Sequence, residues 1–178
     1  MVPWDLIFLI HNKENFIMVD IYLGLGSNKG DREKNLESAR NRLTGKSLHI
    51  TMVSPVYISE PWGFESDKHF YNQVLGISTL IDAFDLLDLV QETENEMGRF
   101  RSREAYSDRL IDIDILFYGT EIISSKPLII PHPLLHKRMF VLQPLADIAP
   151  GFVHPVFNKT ISELVAECGD PPLKEIPL

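Results

Sequence analysis

Apolar residues recur along this chain with two periods, and the changes between them outline its elements. Residues 110–118, Leu-Ile-Asp-Ile-Asp-Ile-Leu-Phe-Tyr, alternate and are rich in β-branched and aromatic side chains, which predicts a strand. Ile111, Ile113 and Ile115 then face a core, while Asp112 and Asp114 share the other face. Similar reasoning predicts strands over 19–25, 48–57 and 70–80, the last antiparallel to the one before it across the loop Ser59-Glu60-Pro61-Trp62-Gly63-Phe64. Helical spacing places Leu36, Ala39 and Leu43 on one face of a helix capped by Asp31. A second helix, 82–97, has Ala83, Leu86, Leu87, Val90 and Met97 as its apolar face, Asp82 as cap and Gly98 as stop. Its glutamates read mostly as a solvated face, with Glu94 able instead to orient an arginine.

Beyond the central strand, 121–123 and 128–130 predict a short hairpin stopped by Pro131-His132-Pro133, which holds His132 in an exposed turn. Residues 134–145 begin as helix, and Gln143-Pro144, Ala149-Pro150-Gly151 and His154-Pro155 make an irregular return. Thr160-Ile161-Ser162-Glu163 is a capping box for a short helix to Cys168. The expected organisation is one domain over 19–170, preceded by an extension over 1–18 that need not be native and followed by a tail over 171–178.

The chemistry concentrates just before and within the central strand. Arg99, Arg101, Arg103 and Arg109 precede the Asp112 and Asp114 pair. Paired carboxylates repel unless they are solvated, lie beside cations or hold a metal. Such hard oxygen ligands suit Mg²⁺, which takes its remaining ligands from water and substrate phosphates. Arginine forks match those phosphates. The residues alone leave a second reading open, a wet acidic face with surface arginines. The run Gly24-Leu25-Gly26-Ser27-Asn28-Lys29-Gly30-Asp31 ends the first strand either as an anion cradle or as a tight turn needing positive φ, and the turn is the expectation.

Composition narrows the classes. The formal charge of −8 disfavours a nucleic-acid binder but allows a small anionic substrate at a local basic cluster. The single cysteine, Cys168, excludes an internal disulfide and a cysteine zinc site. No apolar run reaches a membrane span, and no signal peptide is expected at the N-terminus.

From about residue 19 to 169 the chain resembles the 6-hydroxymethyl-7,8-dihydropterin pyrophosphokinase family. The likeness rests on an ordered set of motifs. They are Leu25-Gly26-Ser27-Asn28, Tyr57-Ile58-Ser59-Glu60-Pro61-Trp62-Gly63, Phe70-Tyr71-Asn72, Gly98-Arg99-Phe100-Arg101 and Arg109-Leu110-Ile111-Asp112-Ile113-Asp114. Pro131-His132-Pro133, Arg138-Met139-Phe140-Val141-Leu142 and Pro144-Leu145 follow in the same order. The resemblance implies an α+β, ferredoxin-like antiparallel sheet covered by helices, with an extra hairpin. It implies pyrophosphate transfer from ATP to the pterin's hydroxymethyl oxygen, releasing AMP, in folate biosynthesis. It assigns two Mg²⁺ ions to Asp112 and Asp114, phosphate contacts to Arg99 and Arg109, and ATP contacts to Gln91, Arg101, His132 and Arg138. Phe70 and Phe140 would sandwich the pterin, Asn72 would read its edge, and the Ser59, Glu60 and Trp62 loop would assist. A cytoplasmic monomer is expected, without nucleic-acid or membrane partners.

One stretch departs from the family pattern. Where the family has tryptophan and then small residues or proline, this chain has Tyr106-Ser107-Asp108 before Arg109. Tyr106 can serve as an aromatic flap, and Asp108 is expected to compete for the Arg109 guanidinium. Two rival readings are another Mg²⁺ enzyme on a similar sheet, such as a nucleotide cyclase, and a non-catalytic pterin or nucleotide sensor.

Overall fold

The computed structural model describes residues 19–46, 48–98 and 108–177. The expected extension over 1–18 and the roles expected of Arg99, Arg101, Arg103 and Tyr106 therefore lie outside the described residues. The elements run β1 (Val19–Ser27), α1 (Arg32–Gly45), β2 (His49–Val53), β3 (Val56–Ser59), β4 (Phe70–Thr79), α2 (Ala83–Glu96) and β5 (Asp112–Tyr118). A hairpin β6 (Ile123–Ser125) and β7 (Leu128–Ile130) follows, then a 3₁₀ turn, α3 (Met139–Ile148), α4 (Ile161–Glu167) and β8 (Lys174–Ile176).

The main sheet has the order β5-β1-β4-β3-β8, with β2 also paired to β4, and every pairing is antiparallel. This is the ferredoxin-like α+β arrangement, with β6 and β7 as the separate hairpin. One face of the sheet carries Ile21, Leu23, Leu25, Leu75, Ile77, Ile113 and Ile115 against Leu36, Ala39 and Leu43 of α1 and Leu86 and Val90 of α2. The other face carries Tyr22, Val74, Leu116 and Phe117 against Val141, Leu142 and Leu145 of α3 and Ile161 and Leu164 of α4.

The two caps form as their sequences require. The Asp31 carboxylate accepts from the Lys34 amide at 3.2 Å, and Asp82 accepts from the amides of Phe84 and Asp85. Thr160 and Glu163 complete the capping box of α4.

Several boundaries differ from the sequence reading, each for a local reason. The strand expected over 48–57 is two strands, because Pro55 has no N–H to give the ladder. Ser54 takes over there: its backbone donates to the Val74 carbonyl at 3.0 Å and its Oγ accepts from the Val74 amide at 2.9 Å. The helical start expected from 134 is a 3₁₀ turn over Leu135–Lys137, and α3 begins only at Met139, since Arg138 has extended backbone. Gln143-Pro144 lies inside α3 rather than in an irregular return. The tail is ordered as well: β8 pairs along β3, and the Leu173 amide donates to the Gln143 side chain at 2.7 Å.

β5 contains a one-residue irregularity. Leu23 pairs with Ile115 and Tyr22 with Phe117, so Leu116 has no partner of its own. Upstream of it, Ile113 and Ile115 face the α1–α2 core, leaving Asp112 and Asp114 on the opposite face. Leu116 and Phe117 both enter the α3–α4 core, and Tyr118 returns to the first.

Candidate active site

The site is the part of the α3-bearing face that α3 and α4 leave uncovered. Register explains why it is hollow. Asp112 pairs with Gly26, which pairs with Asn72; Asp114 pairs with Gly24, which pairs with Val74. In each row a glycine stands where a side chain would otherwise fill the space beside the acid. Neither glycine sits in a turn: both belong to β1, and of the glycines in this run only Gly30 has a positive φ, at 68°. The expectation that the run breaks the strand for a turn is thereby corrected for Gly24 and Gly26.

Around this floor the walls combine aromatic and charged side chains. Phe70, Phe64, Trp62 and Phe140 line the cleft, together with Ser59, Glu60 and Asn72. Asp112, Asp114, Arg109 and Arg138 line it as well. Phe64 meets Phe70 edge-on, with centroids 6.2 Å apart. Asn72 is buried, and its Nδ2 donates to Ser59 Oγ at 2.9 Å and to the Tyr57 carbonyl at 3.4 Å. The amide is thereby fixed at the cleft edge, beyond the turn-capping role its type alone suggests.

The cations are placed by stacking as much as by charge. The Arg109 guanidinium is ion-paired with Asp112 and stands 5.9 Å from the Phe70 centroid. Arg138 lies 4.4 Å from the Trp62 centroid and 5.6 Å from that of Phe140. Arg138 is only 7% exposed, and its Nε is buried without a hydrogen-bond partner. A buried donor of that kind costs stability until an acceptor reaches it.

Asp112 and Asp114 are held from outside the sheet. Glu94 of α2 is buried, 1% exposed, and accepts the Ile113 amide at 2.7 Å. The residue between the two acids is thus anchored by a third carboxylate. Sequence reasoning gave Glu94 to a solvated face or to an arginine, and the amide of an edge strand has no sequence signature.

Two expected ATP contacts stand apart from the cleft lining. Gln91 is on α2 and half-buried. His132 is half-buried rather than exposed, with its amide donating to the Leu116 carbonyl at 3.0 Å. Burial and the Arg138 cation push His132 down to about 4, against the pull of Asp112. Its imidazole is neutral at pH 7.

Asp108 does not compete for Arg109. Its Oδ1 accepts from Asn28 Nδ2 at 2.7 Å and Ser66 Oγ at 2.8 Å, and its Oδ2 accepts from Lys68 Nζ at 2.6 Å. These donors hold its carboxyl down to about 2. Asn28 also brackets Arg109: its Oδ1 accepts the Arg109 amide at 2.8 Å, and its own amide donates to the Arg109 carbonyl at 3.2 Å.

Among the described residues no group of three or more His, Cys, Asp or Glu is gathered as a metal cage, and no helix is long and apolar enough to cross a membrane. An acid pair of this kind fits a hard cation completed by water and phosphate oxygens.

Known proteins resemble this chain along most of its length. A family model described as 7,8-dihydro-6-hydroxymethylpterin-pyrophosphokinase (HPPK) matches residues 22–150. A 2-amino-4-hydroxy-6-hydroxymethyldihydropteridine pyrophosphokinase of Aquifex aeolicus is 42% identical over 150 residues, covering 84% of this chain and 92% of the relative. The enzyme of the same name from Bacillus subtilis is 42% identical over 128 residues, covering 71% and 76%. A crystal structure of Plasmodium falciparum HPPK-DHPS with pteroate superposes with a TM-score of 0.69 at 17% identity. That match covers 85% of this chain and 44% of the solved one, and it bears on the fold alone.

Proposed function

The chain belongs to the 7,8-dihydro-6-hydroxymethylpterin-pyrophosphokinase family, and from that premise we propose how its own residues carry out the family's reaction. It transfers pyrophosphate from ATP to the hydroxymethyl oxygen of 6-hydroxymethyl-7,8-dihydropterin, giving AMP and the pterin diphosphate for folate biosynthesis. The observation that carries the residue assignment is the meeting of an aromatic slot and an acid pair with its arginines on one uncovered patch of sheet.

The pterin lies between Phe70 and Phe140, whose flat faces exclude water from the ring. Asn72, already fixed through Ser59 and Tyr57, presents its remaining amide valences to the heterocycle edge. The triphosphate lies over Asp112 and Asp114. Mg²⁺, as two ions on these acids, would neutralise the phosphate charge there and bring the reacting oxygens together. Arg109 leaves its pairing with Asp112 for phosphate, and Arg138 offers its buried, unpartnered Nε to another phosphate oxygen. Gln91, Arg101 and a neutral His132 help seat the nucleotide, Arg99 contacts phosphate, and Tyr106 covers the site.

In the transfer, the hydroxymethyl oxygen bonds to the β-phosphorus while the bond from that phosphorus to the α–β bridging oxygen breaks. AMP departs with the bridging oxygen, and the hydroxyl proton leaves to solvent or a nearby base. Such chemistry needs alignment and charge neutralisation more than covalent help. A monomer in the cytoplasm, where ATP is at hand as co-substrate, is the setting of this reading.

The decisive assay is AMP release from ATP with and without the pterin alcohol. Release only with the pterin is expected. Pterin-independent turnover would favour a different Mg²⁺ enzyme, and tight pterin binding without AMP would favour a sensor.

A further inference from the structure

We infer that Asp108 and Lys68 are positioning residues for the pterin side of the site: their ion pair latches the 60–69 loop, which carries Trp62 and Phe64, to the segment that carries Arg109. This rests on the function proposed above and goes beyond it, since neither residue lines the cleft.

The argument begins with the loop. Residues 60–69 join β3 to β4, and the loop places Glu60, Trp62 and Phe64 on the cleft wall just before Phe70. A loop of this length carries a large conformational entropy, so its aromatics hold one geometry only if something fixes it. Its far half is fixed at Asp108. Lys68 Nζ and Ser66 Oγ both donate to that carboxylate, and Ser66 Oγ also accepts the Lys68 amide at 3.2 Å. The third donor on Asp108 is Asn28, whose amide oxygen holds the Arg109 backbone. One carboxylate therefore unites the β1–α1 turn, the aromatic loop and the start of the segment leading into β5.

An isolated surface ion pair contributes little. This one differs in having three donors from two segments converging on a carboxylate that is 26% exposed. Other ties hold the loop ends: from Arg32 Nη1 to the His69 carbonyl at 2.9 Å, from Asn28 Nδ2 to the Lys68 carbonyl at 3.4 Å, and between Glu60 and His69 Nε2 at 2.7 Å. Arg138 also stacks on Trp62. The latch adds the bond from the loop's far half to the segment carrying Arg109. Loss of the latch should therefore loosen the pterin wall while leaving the fold in place.

The test uses the full-length protein with Asp108→Asn, Lys68→Met and the double variant, and Lys159→Met as a control that removes an exposed pair with Glu167 away from the cleft. The expected result is a rise of about fivefold in KM for the pterin in each single variant, with the double no worse than either single. KM for ATP and kcat should stay within about twofold, and thermal midpoints within a few degrees. Wild-type KM for the pterin should also rise toward about 1 M salt, and that sensitivity should vanish in Lys68→Met. Additive losses in the double variant, or lowered thermal midpoints with pterin KM unchanged, overturn the latch. Pterin dissociation constants from calorimetry on the same proteins separate the two claims. A wild type that binds pterin but makes no AMP defeats the proposed function and leaves the latch decided by those constants. A wild type that binds no pterin defeats both.

Discussion

Glu94 and Ile113 meet at 2.7 Å, carboxylate to backbone amide, and Ile113 is the residue between Asp112 and Asp114. The contact ties α2 to the edge strand β5 between the two acids. Glu94→Ala strips the buried Ile113 amide of its acceptor and should cost roughly 1–3 kcal/mol in urea unfolding. Activity should fall further than the loss of folded protein explains. Glu94→Gln keeps a carbonyl acceptor and should recover most of the stability. Equal stability of the alanine and glutamine variants would show that the contact contributes nothing.

Asp112 and Asp114 are expected to be separately indispensable. Asn substitution at either should lower kcat by about a hundredfold or more, the scale seen when a charge-stabilising group is removed. Raising Mg²⁺ should not restore it. Asp112→Asn also removes the carboxylate charge paired with Arg109, so its thermal midpoint should change along with its activity. Near-normal turnover in either variant at saturating Mg²⁺ would remove that acid from the metal seat.

Stability should fall with acid over a defined window. His132 and His154 are both held down to about 4, mainly by burial, against an unfolded value near 6.5. Below that unfolded value the unfolded chain binds protons that the folded chain refuses. Their contribution is therefore whole above about pH 6.5 and is lost as pH falls toward 4. Asp108, held to about 2, adds a further loss below about pH 4. Urea midpoints measured between pH 4 and 7 check this, and a flat profile between 4.5 and 6.5 would contradict it. His154 also accepts the amides of Val156 and Phe157 through Nδ1, so protonation there breaks a local turn as well.

Gly26→Ala separates folding from binding. A Cβ there would lie 3.6 Å from Asn72 Oδ1 and from a Phe70 ring carbon, and 3.9 Å from Asp112 Cβ, all ordinary contacts. The fold should tolerate it within about 1 kcal/mol. The methyl would stand on the cleft floor between the amide, the ring and the acid, and KM for the pterin should rise at least severalfold. An unchanged KM would mean the floor is not where substrate rests.

Much of this architecture can be read from residue order, and the exceptions share a cause. Period and caps identify α1, α2, β4 and the capping box, because each depends on neighbours within a few positions. The acid pair and the aromatics are legible as residue types, and their meeting on one face follows from an antiparallel register that sequence order suggests. The bond from Ile113 to Glu94, the two strand glycines and the donors on Asp108 escape sequence reasoning because they depend on partners distant in sequence. A buried glutamate looks like its solvated neighbours until the edge strand is set beside it. Gly24 and Gly26 look like turn residues until Asn72 and Asp112 are seen on either side of Gly26. Asp108 looks like a rival for Arg109 until Lys68 and Ser66 arrive from the other side.

The unpaired Leu116 has a consequence for how this strand can vary. Strict alternation would send Phe117 to the isoleucine side and Tyr118 to the aspartate side, the reverse of what is found. The extra residue is a half-step in the chain that lets one end of β5 stay wet while the other fills two separate dry interiors. Deleting Ile113 would set the two acids on opposite faces of the sheet, whereas deleting Leu116 would restore plain alternation and leave both acids and both rings where they are. The place of a deletion is therefore as restrictive as chemistry: the strand can give up its unpaired position but not the spacer between its acids.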